Sequence, residues 1–567
     1  MRHHPSDQTF ILLAPAMLAG LLLAGGLTPG QDGPVADTDT ASYIVQGAST
    51  EVVVQAIERI GGTLTHELGI IRAAAARLDV AQLEALGGLD GISRIHADTA
   101  VTTAGAGGGK RPIRTEDTAY PTQVGANLLH DQGITGAGVT VAVLDTGWDN
   151  MGATSYDTEA QFRVLSSYDA IEDTMVGLPV MGPIYYPNGY GENDGSGHAS
   201  HVTSIILSKW NTDLDQPRDG LYNGIAPNAR LVVVKAFDAS GNGTYADVIR
   251  GLDWLVNNKD TYDIRVLNLS FSAEPRSHYW DDPLNQAVMA AWQAGIVVVV
   301  SAGNRGPDAM TIGVPGNLPY VITVGAMSDN YTHGKRRDDE DDVLASFSSA
   351  GPTYEGFVKP EIVAPGGHML GLMPETLQLA QEHPEFYDPR DYFTMSGTSQ
   401  AAAVVSGVAA LMLEADPSLT PDEIKCRVMD SARPAVNDDG SLAYTVFQQG
   451  AGLVNAYDAA YSTATACANR GLDVAKDLAG VEHYGGRANQ AEDGTYYLMG
   501  LSGDGFLWSD GFLWSDGFLW SDGFLWSDGF LWSDGFLWSD GFLWSDGYLW
   551  TDSLTETMSI NTWVPQE

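Results

Sequence analysis

Two kinds of hydrophobic pattern divide this chain. Between residues 42 and 103, apolar positions alternate or recur at helical spacing in short pieces. Residues 42–46 read as a strand, 50–60 as a helix closed by Gly61 and Gly62, and 64–68 and 70–77 as strands; 80–86 reads as a second helix and 92–97 as a last strand. That βαββαβ order predicts a small α+β unit of split βαβ, ferredoxin-like arrangement. From about Glu116 the apolar runs no longer alternate. They fall at 139–144, 231–237, 264–270, 296–301 and 320–325, with helical stretches such as 245–257 and 282–294 between them. Val-rich runs of this kind are buried on both faces, so they predict an α/β domain of three layers, a parallel sheet covered by helices. Asp145 and Asn304 fall just past the C-terminal ends of two of these strands, the edge where open α/β sheets collect functional groups.

Both ends of the chain depart from this scheme. An apolar run at 10–27 follows Arg2, is broken by Pro15 and glycines, and passes small residues at Ala24-Gly25-Gly26. It reads as a secretory signal over residues 1–30, with a membrane anchor as the rival. An acidic, small-residue stretch leads to about Thr40. Residues 104–109, followed by Lys110 and Arg111, read as an exposed Gly-rich linker. Residues 466–504 read as a second linker. Residues 505–552 are eight hexads, the first Gly505-Phe506-Leu507-Trp508-Ser509-Asp510, and 553–567 are a C-terminal tail. The period is even, so in an extended segment Phe, Trp and Asp share one face. Every boundary is Asp-Gly, a turn signal. Short stacked strands and an unstructured, sticky tail both fit.

Composition narrows the class. A chain of 567 residues, 44% of them hydrophobic, can build several domains. Its 29 basic and 72 acidic residues leave a net charge of −43, which argues against nucleic acid as a partner. The acidity fits an exported protein, calcium binding through carboxylates, or adaptation to salt. Cys426 and Cys467 are the two cysteines; one disulfide and a pair of buried thiols both remain open.

Three distant stretches carry candidate chemistry. Asp145 lies in Leu144-Asp145-Thr146-Gly147, His198 in Gly197-His198-Ala199-Ser200-His201, and Ser399 in Ser396-Gly397-Thr398-Ser399-Gln400-Ala401. A serine hydroxyl is a poor nucleophile unless a base takes its proton, and the base needs an orienting carboxylate. Ser399 precedes the small, apolar stretch 401–415, hence a buried helix whose N-terminus favours developing negative charge. Singly these signals are weak. An Asp after a strand is usually a cap, and His198 with His201 could read as a metal pair, though no third ligand is near. Their joint order and context carry the reading.

Over roughly residues 117–465 these motifs resemble the subtilisin-like serine peptidases. Val300-Ser301-Ala302-Gly303-Asn304 is similar to the family's oxyanion segment, and Pro315-Gly316 follows. The resemblance implies a triad of Asp145, His198 and Ser399, with the Asn304 amide and the Ser399 N–H holding an oxyanion. It implies that Gly241, Asn242 and Gly243 pair with an extended substrate and that Tyr245 lines a pocket further upstream. Leu269 and Ser270 would form the opposite wall, leading to the pocket for the residue before the cut. Several positions depart from the family pattern: Ala199-Ser200 replaces Gly-Thr, Gln400 replaces Met, Ala403 replaces Pro, and Phe271-Ser272 replaces Leu-Gly. The last of these leaves specificity at a lean to apolar residues.

Residues 42–103 resemble the family's inhibitory propeptides, which assist folding and cover the cleft until removed; an independent binding domain is the alternative. Maturation is expected in the Gly-rich linker with Lys110-Arg111. The family and the acidity imply structural Ca²⁺ with unassigned ligands, and no catalytic cofactor. The expected protein is a secreted endopeptidase acting on protein or peptide substrates, autoinhibited by its own propeptide. Its tail would attach it to a cell surface, a polysaccharide or itself. The other reading is a weakly active, protease-shaped scaffold whose tail does the work.

Overall fold

Five runs dominated by Val, Ile and Leu leave no polar face, so the only stable place for them is inside a sheet covered on both sides. A computed structural model describes residues 40–98, 100–103, 118–178, 193–210, 222–329, 342–388, 390–491, 493–499 and 524–525. The expected signal, the Gly-rich linker with Lys110 and Arg111, and all of the hexads except Phe524 and Leu525 lie outside them.

The small unit comprises β1 (Ala41–Gly47), α1 (Thr50–Arg59), β2 (Thr63–Leu68), β3 (Ala73–Leu78), α2 (Val80–Gly87) and β4 (Ile92–Ala97). Its sheet order is β2-β3-β1-β4, antiparallel throughout. The stretch 70–77 is not one strand. A 3₁₀ turn at Gly69–Ile71 precedes β3, and Arg72 adopts φ 53°. Reversing the chain after β2 needs that left-handed residue. One short strand, β5 (Ala100–Thr103), leaves this unit.

The large sheet contains β6 (Thr140–Asp145), β7 (Val164–Asp169) and β8 (Thr174–Met175). It continues with β9 (Arg230–Lys235), β11 (Ile264–Leu269), β13 (Val297–Ser301), β14 (Ile322–Asp329), β15 (Asp342–Leu344) and β16 (Ile362–Pro365). Two short strands, β10 (Asn242–Thr244) and β12 (Phe271–Ser272), stand apart from it. Its order is β15-β14-β13-β11-β6-β9-β7-β8, with β16 also on β14. The central pairs are parallel, but β8 on β7 and β15 on β14 are antiparallel. The sheet is therefore mixed rather than all parallel, because each edge is closed by a short returning strand.

Helices α3 (His198–Leu207), α4 (Tyr245–Tyr262), α5 (Pro283–Gln293) and α6 (Thr398–Ala415) pack around this core. Nearly all of α6 is buried. Its small residues permit this: a Cβ on Gly407 would lie 2.5 Å from Ile225 Cβ. Each fully buried Val or Leu contributes on the order of 1.5–3 kcal/mol.

The stretch expected to link the domain to the hexads is instead docked, through residue 499. Asp477 is buried and accepts hydrogen bonds from Tyr279 (2.7 Å) and Tyr320 (2.9 Å). Residues 488–490 and 496–498 form a two-stranded sheet, and Leu498 packs with Val358 and Phe447. Phe524–Leu525 of the repeats pairs with Tyr484–Gly485. Cys426 and Cys467 form a disulfide with a Cα–Cα distance of 5.2 Å.

Candidate active site

Asp145 ends β6 and is fully buried. Its Oδ1 accepts the Thr146 N–H (2.7 Å) and lies 2.8 Å from His198 Nδ1; Oδ2 lies 3.0 Å from the same nitrogen. An ionised carboxylate only accepts, so Nδ1 carries the proton and Nε2 presents its lone pair as an acceptor.

His198 opens α3, and a residue not singled out in the sequence sets that start. Asp194 Oδ1 accepts from Thr146 Oγ1 (2.8 Å), Ser196 N (3.1 Å) and Gly197 N (2.9 Å), and its Oδ2 from Ser200 N (2.9 Å) and Ser200 Oγ (2.6 Å). Thr146 Oγ1 in turn accepts the Ala199 N–H at 3.0 Å. One buried carboxylate thus ties the strand end bearing Asp145 to the helix start bearing His198. An Asp shortly ahead of a helix start is the capping-type signal that could have found it. His201 belongs to no metal pair. Its Nε2 meets the Phe393 carbonyl (3.0 Å) and its Nδ1 meets Gln400 Nε2 (3.4 Å), while burial holds its pKa down to about 4.

Ser399 lies in the first turn of α6. Its Oγ donates to the Ser270 carbonyl at 3.0 Å, and Ser270 Oγ donates to the Ser399 carbonyl at 3.1 Å. Asn268 Nδ2 donates to Ser270 Oγ (2.8 Å), and Ser406 Oγ to Asn268 Oδ1 (2.9 Å), so this polar thread through the core is satisfied. Asn304 follows β13. Its Oδ1 accepts the Thr398 N–H (3.0 Å) and the Thr398 hydroxyl (2.9 Å), while Thr398 Oγ1 accepts the Gly303 N–H (3.1 Å). With the oxygen engaged, the Nδ2 hydrogens are the part left for a bound group.

The other expected residues divide. Asn242 and Gly243 lie on β10, just after Gly241 at φ 69°. Leu269 is fully buried, so only its backbone and that of Ser270 can face a ligand. Tyr245 is core-packed, with its hydroxyl 3.1 Å from Asp282 Oδ2 and its pKa raised by burial. It offers no exposed wall in this structure.

Strand β5 lies antiparallel between β10 and β12. Asn242 faces Thr102, Gly243 faces Val101, Thr244 faces Ala100, Phe271 faces Thr103 and Ser272 faces Thr102. The small unit behind it docks on α4 and α5. His66 Nε2 lies 3.0 Å from Asp247 Oδ1 and Arg94 lies 2.7 Å from Asp281; Gln46 donates to Gln286 (2.7 Å) and Asp98 accepts the Ala246 N–H (3.0 Å).

A buried, carboxylate-oriented imidazole, a serine in the first turn of a buried helix and an anchored asparagine amide are the groups that acyl transfer requires. A sequence profile described as "Subtilase family" matches residues 136–452. Serine protease AprX of Bacillus subtilis is 37% identical over 347 residues, covering 60% of this chain and 70% of that protein. Subtilisin E of the same organism is 28% identical over 407 residues, covering 71% and 84%. The crystal structure of fervidolysin from Fervidobacterium pennivorans, described as a keratinolytic enzyme related to subtilisin, superposes with TM-score 0.55 at 21% identity. That match covers 82% of this chain and 68% of fervidolysin, and it shows the shared fold.

Proposed function

The chain belongs to the subtilase family and is a subtilisin-like serine endopeptidase, and from that premise we propose how its own residues divide the work. Ser399 attacks the scissile carbonyl while His198 Nε2 takes its proton, and Asp145 holds the imidazole in that tautomer and stabilises its cation. The Asn304 Nδ2 hydrogens and the Ser399 N–H bind the oxyanion; Thr398 positions the amide. The tetrahedral intermediate collapses as His198 gives its proton to the leaving amine, forming an acyl-enzyme that water hydrolyses by the same path in reverse. The Asp145–His198 contact at 2.8 Å, buried on both sides, is the observation that carries this reading.

Residues 41–103 act as an intramolecular inhibitor. What supports this is β5, which takes the place of an extended substrate between β10 and β12 by strand addition. Export fits the Cys426–Cys467 disulfide, which persists in oxidising compartments, and the hexads serve as a tether to a surface, a polysaccharide or another copy. Structural Ca²⁺ stays part of this reading with unassigned ligands; among the described residues no group of three or more His, Cys, Asp or Glu side chains marks a site, and backbone and amide carbonyls are equally suitable donors.

A fluorophosphonate probe tests the chemistry. It is expected to label Ser399 of the processed enzyme, with Ser399→Ala losing both label and peptide hydrolysis. Hydrolysis persisting at the original rate in Ser399→Ala refutes the assignment.

A further inference from the structure

Three short segments meet beside Asn304, and the side chains that two of their glycines lack define a slot between them. Ser301 Oγ donates to the Phe271 carbonyl (3.0 Å), and Gly313 N donates to the Ala302 carbonyl (3.2 Å). Ala273 and Val314 exchange both backbone bonds, at 2.9 and 2.8 Å. Phe271–Ala273, Ala302–Asn304 and Gly313–Val314 are therefore laced together around one space.

Two glycines face that space, and one side chain fills it. A Cβ built on Gly313 would lie 1.8 Å from Ser272 Oγ, and one built on Gly303 would lie 3.1 Å from the same atom. The Ser272 hydroxyl sits where those two missing side chains would otherwise reach. Gly303 directly precedes Asn304, whose amide is held by Thr398.

The register of β5 says what else enters the slot. Thr103 faces Phe271 and Thr102 faces Ser272. Continued by one step, a peptide bound this way sets its next residue opposite Ser270, whose carbonyl accepts the Ser399 hydroxyl. That residue carries the carbonyl to be attacked. Directly opposed residues of an antiparallel pair project to the same face, and residues two apart share a face. The side chain before the scissile bond therefore leaves on the face that carries the side chains of Ser270 and Ser272, into the slot with Gly303 and Gly313.

We infer that Ser272 is a specificity-determining residue, closing this slot to all but small side chains, so that the enzyme cuts after Ala, Gly or Ser. The inference rests on the peptidase reading above and adds the substrate class. The chain's own sequence agrees with it, because the residue following Thr103 is Ala104.

The test uses the mature enzyme and three internally quenched peptides that differ only in the residue before the cut, Ala, Leu or Phe. The wild type is expected to favour Ala over Phe by at least tenfold in kcat/KM, the scale at which pocket volume discriminates. Ser272→Gly is expected to shift that ratio towards Phe by tenfold or more, and Ser272→Ala by less. A structural role alone would lower all three rates together and leave the ratio unmoved. Equal wild-type rates for Ala and Phe overturn the inference whether or not the variants fold, and so does an unchanged ratio in Ser272→Gly. A wild type that cleaves none of the three and takes no phosphonate label overturns the peptidase reading as well.

Discussion

Asp194→Ala removes a carboxylate that helps hold the two catalytic elements together, so its cost can be worked bond by bond. Five hydrogen bonds end on this carboxylate, which is only 5% exposed. The Thr146 and Ser200 hydroxyls can rotate to other acceptors. The N–H groups of Ser196, Gly197 and Ser200 cannot, and each loses about 1 kcal/mol net, giving a destabilisation of about 3 kcal/mol. Asp194→Asn keeps the three acceptor contacts at Oδ1 and sets an amide donor against the Ser200 N–H, costing about 1 kcal/mol. The assay is urea unfolding followed by tryptophan fluorescence, with every variant carried in a Ser399→Ala background to prevent self-digestion. Otherwise wild-type enzyme bearing Asp194→Ala should lose kcat more than it raises KM, because the Thr146 hydroxyl that accepts the Ala199 N–H loses its own acceptor. A value for Asp194→Ala within 0.5 kcal/mol of its parent, or equal effects of Ala and Asn, would refute this account of how His198 is placed.

Three further outcomes follow from the same geometry. Asn304→Ala is expected to lower kcat by about 10²–10³, the range typical of losing one oxyanion donor, while KM stays within a few-fold; steady-state kinetics on one peptide decides. His201 has its folded pKa depressed by burial to about 4, against an ordinary value of 6.5. The unfolded chain thus binds more protons between those values, and the stability contributed by neutral His201 is complete above pH 6.5 and lost as pH falls towards 4. Urea midpoints across that window should fall more steeply for the parent than for His201→Gln. Glu361→Gln is expected to cost about 3–5 kcal/mol, because Lys359 (2.6 Å) and Lys425 (2.9 Å) share its Oε1 with all three side chains about 1% exposed. Thermal melting of the Ser399→Ala parent with and without the change measures it.

How far the sequence carried depends on whether a signal is local. The Val-rich runs at 139–144 and 296–301 led to β6 and β13 within a residue or so, because burial on both faces writes an unbroken apolar pattern. Asp145 was placed at a strand end by the same pattern, whereas His198 and Ser399 were read from their joint order with it and from the family resemblance rather than from a local pattern. Contacts between distant segments were not legible. Lys359 and Lys425 look like surface charges until Glu361 and the carbonyls of Pro319, Tyr320 and Val321 close around them. The polar stretch after 466 reads as a linker, yet it docks through Asp477 and Tyr484, whose partners lie far upstream on Tyr279 and Tyr320. The threading of β5 between β10 and β12 is a matter of register, which no single segment encodes.

That threading gives the most direct test of the central claim. It is the intact mass of the purified wild type beside Ser399→Ala. The account predicts that the wild type loses everything through Ala104 and begins at Gly105, the bond cut if a substrate strand continues the β5 register by one step, and that Ser399→Ala keeps residues 41–103 attached. A wild type that begins after Lys110-Arg111 would place the first cut outside this register. If both proteins kept the segment, or both lost it alike, the claim that Ser399 cuts its own inhibitor would be contradicted.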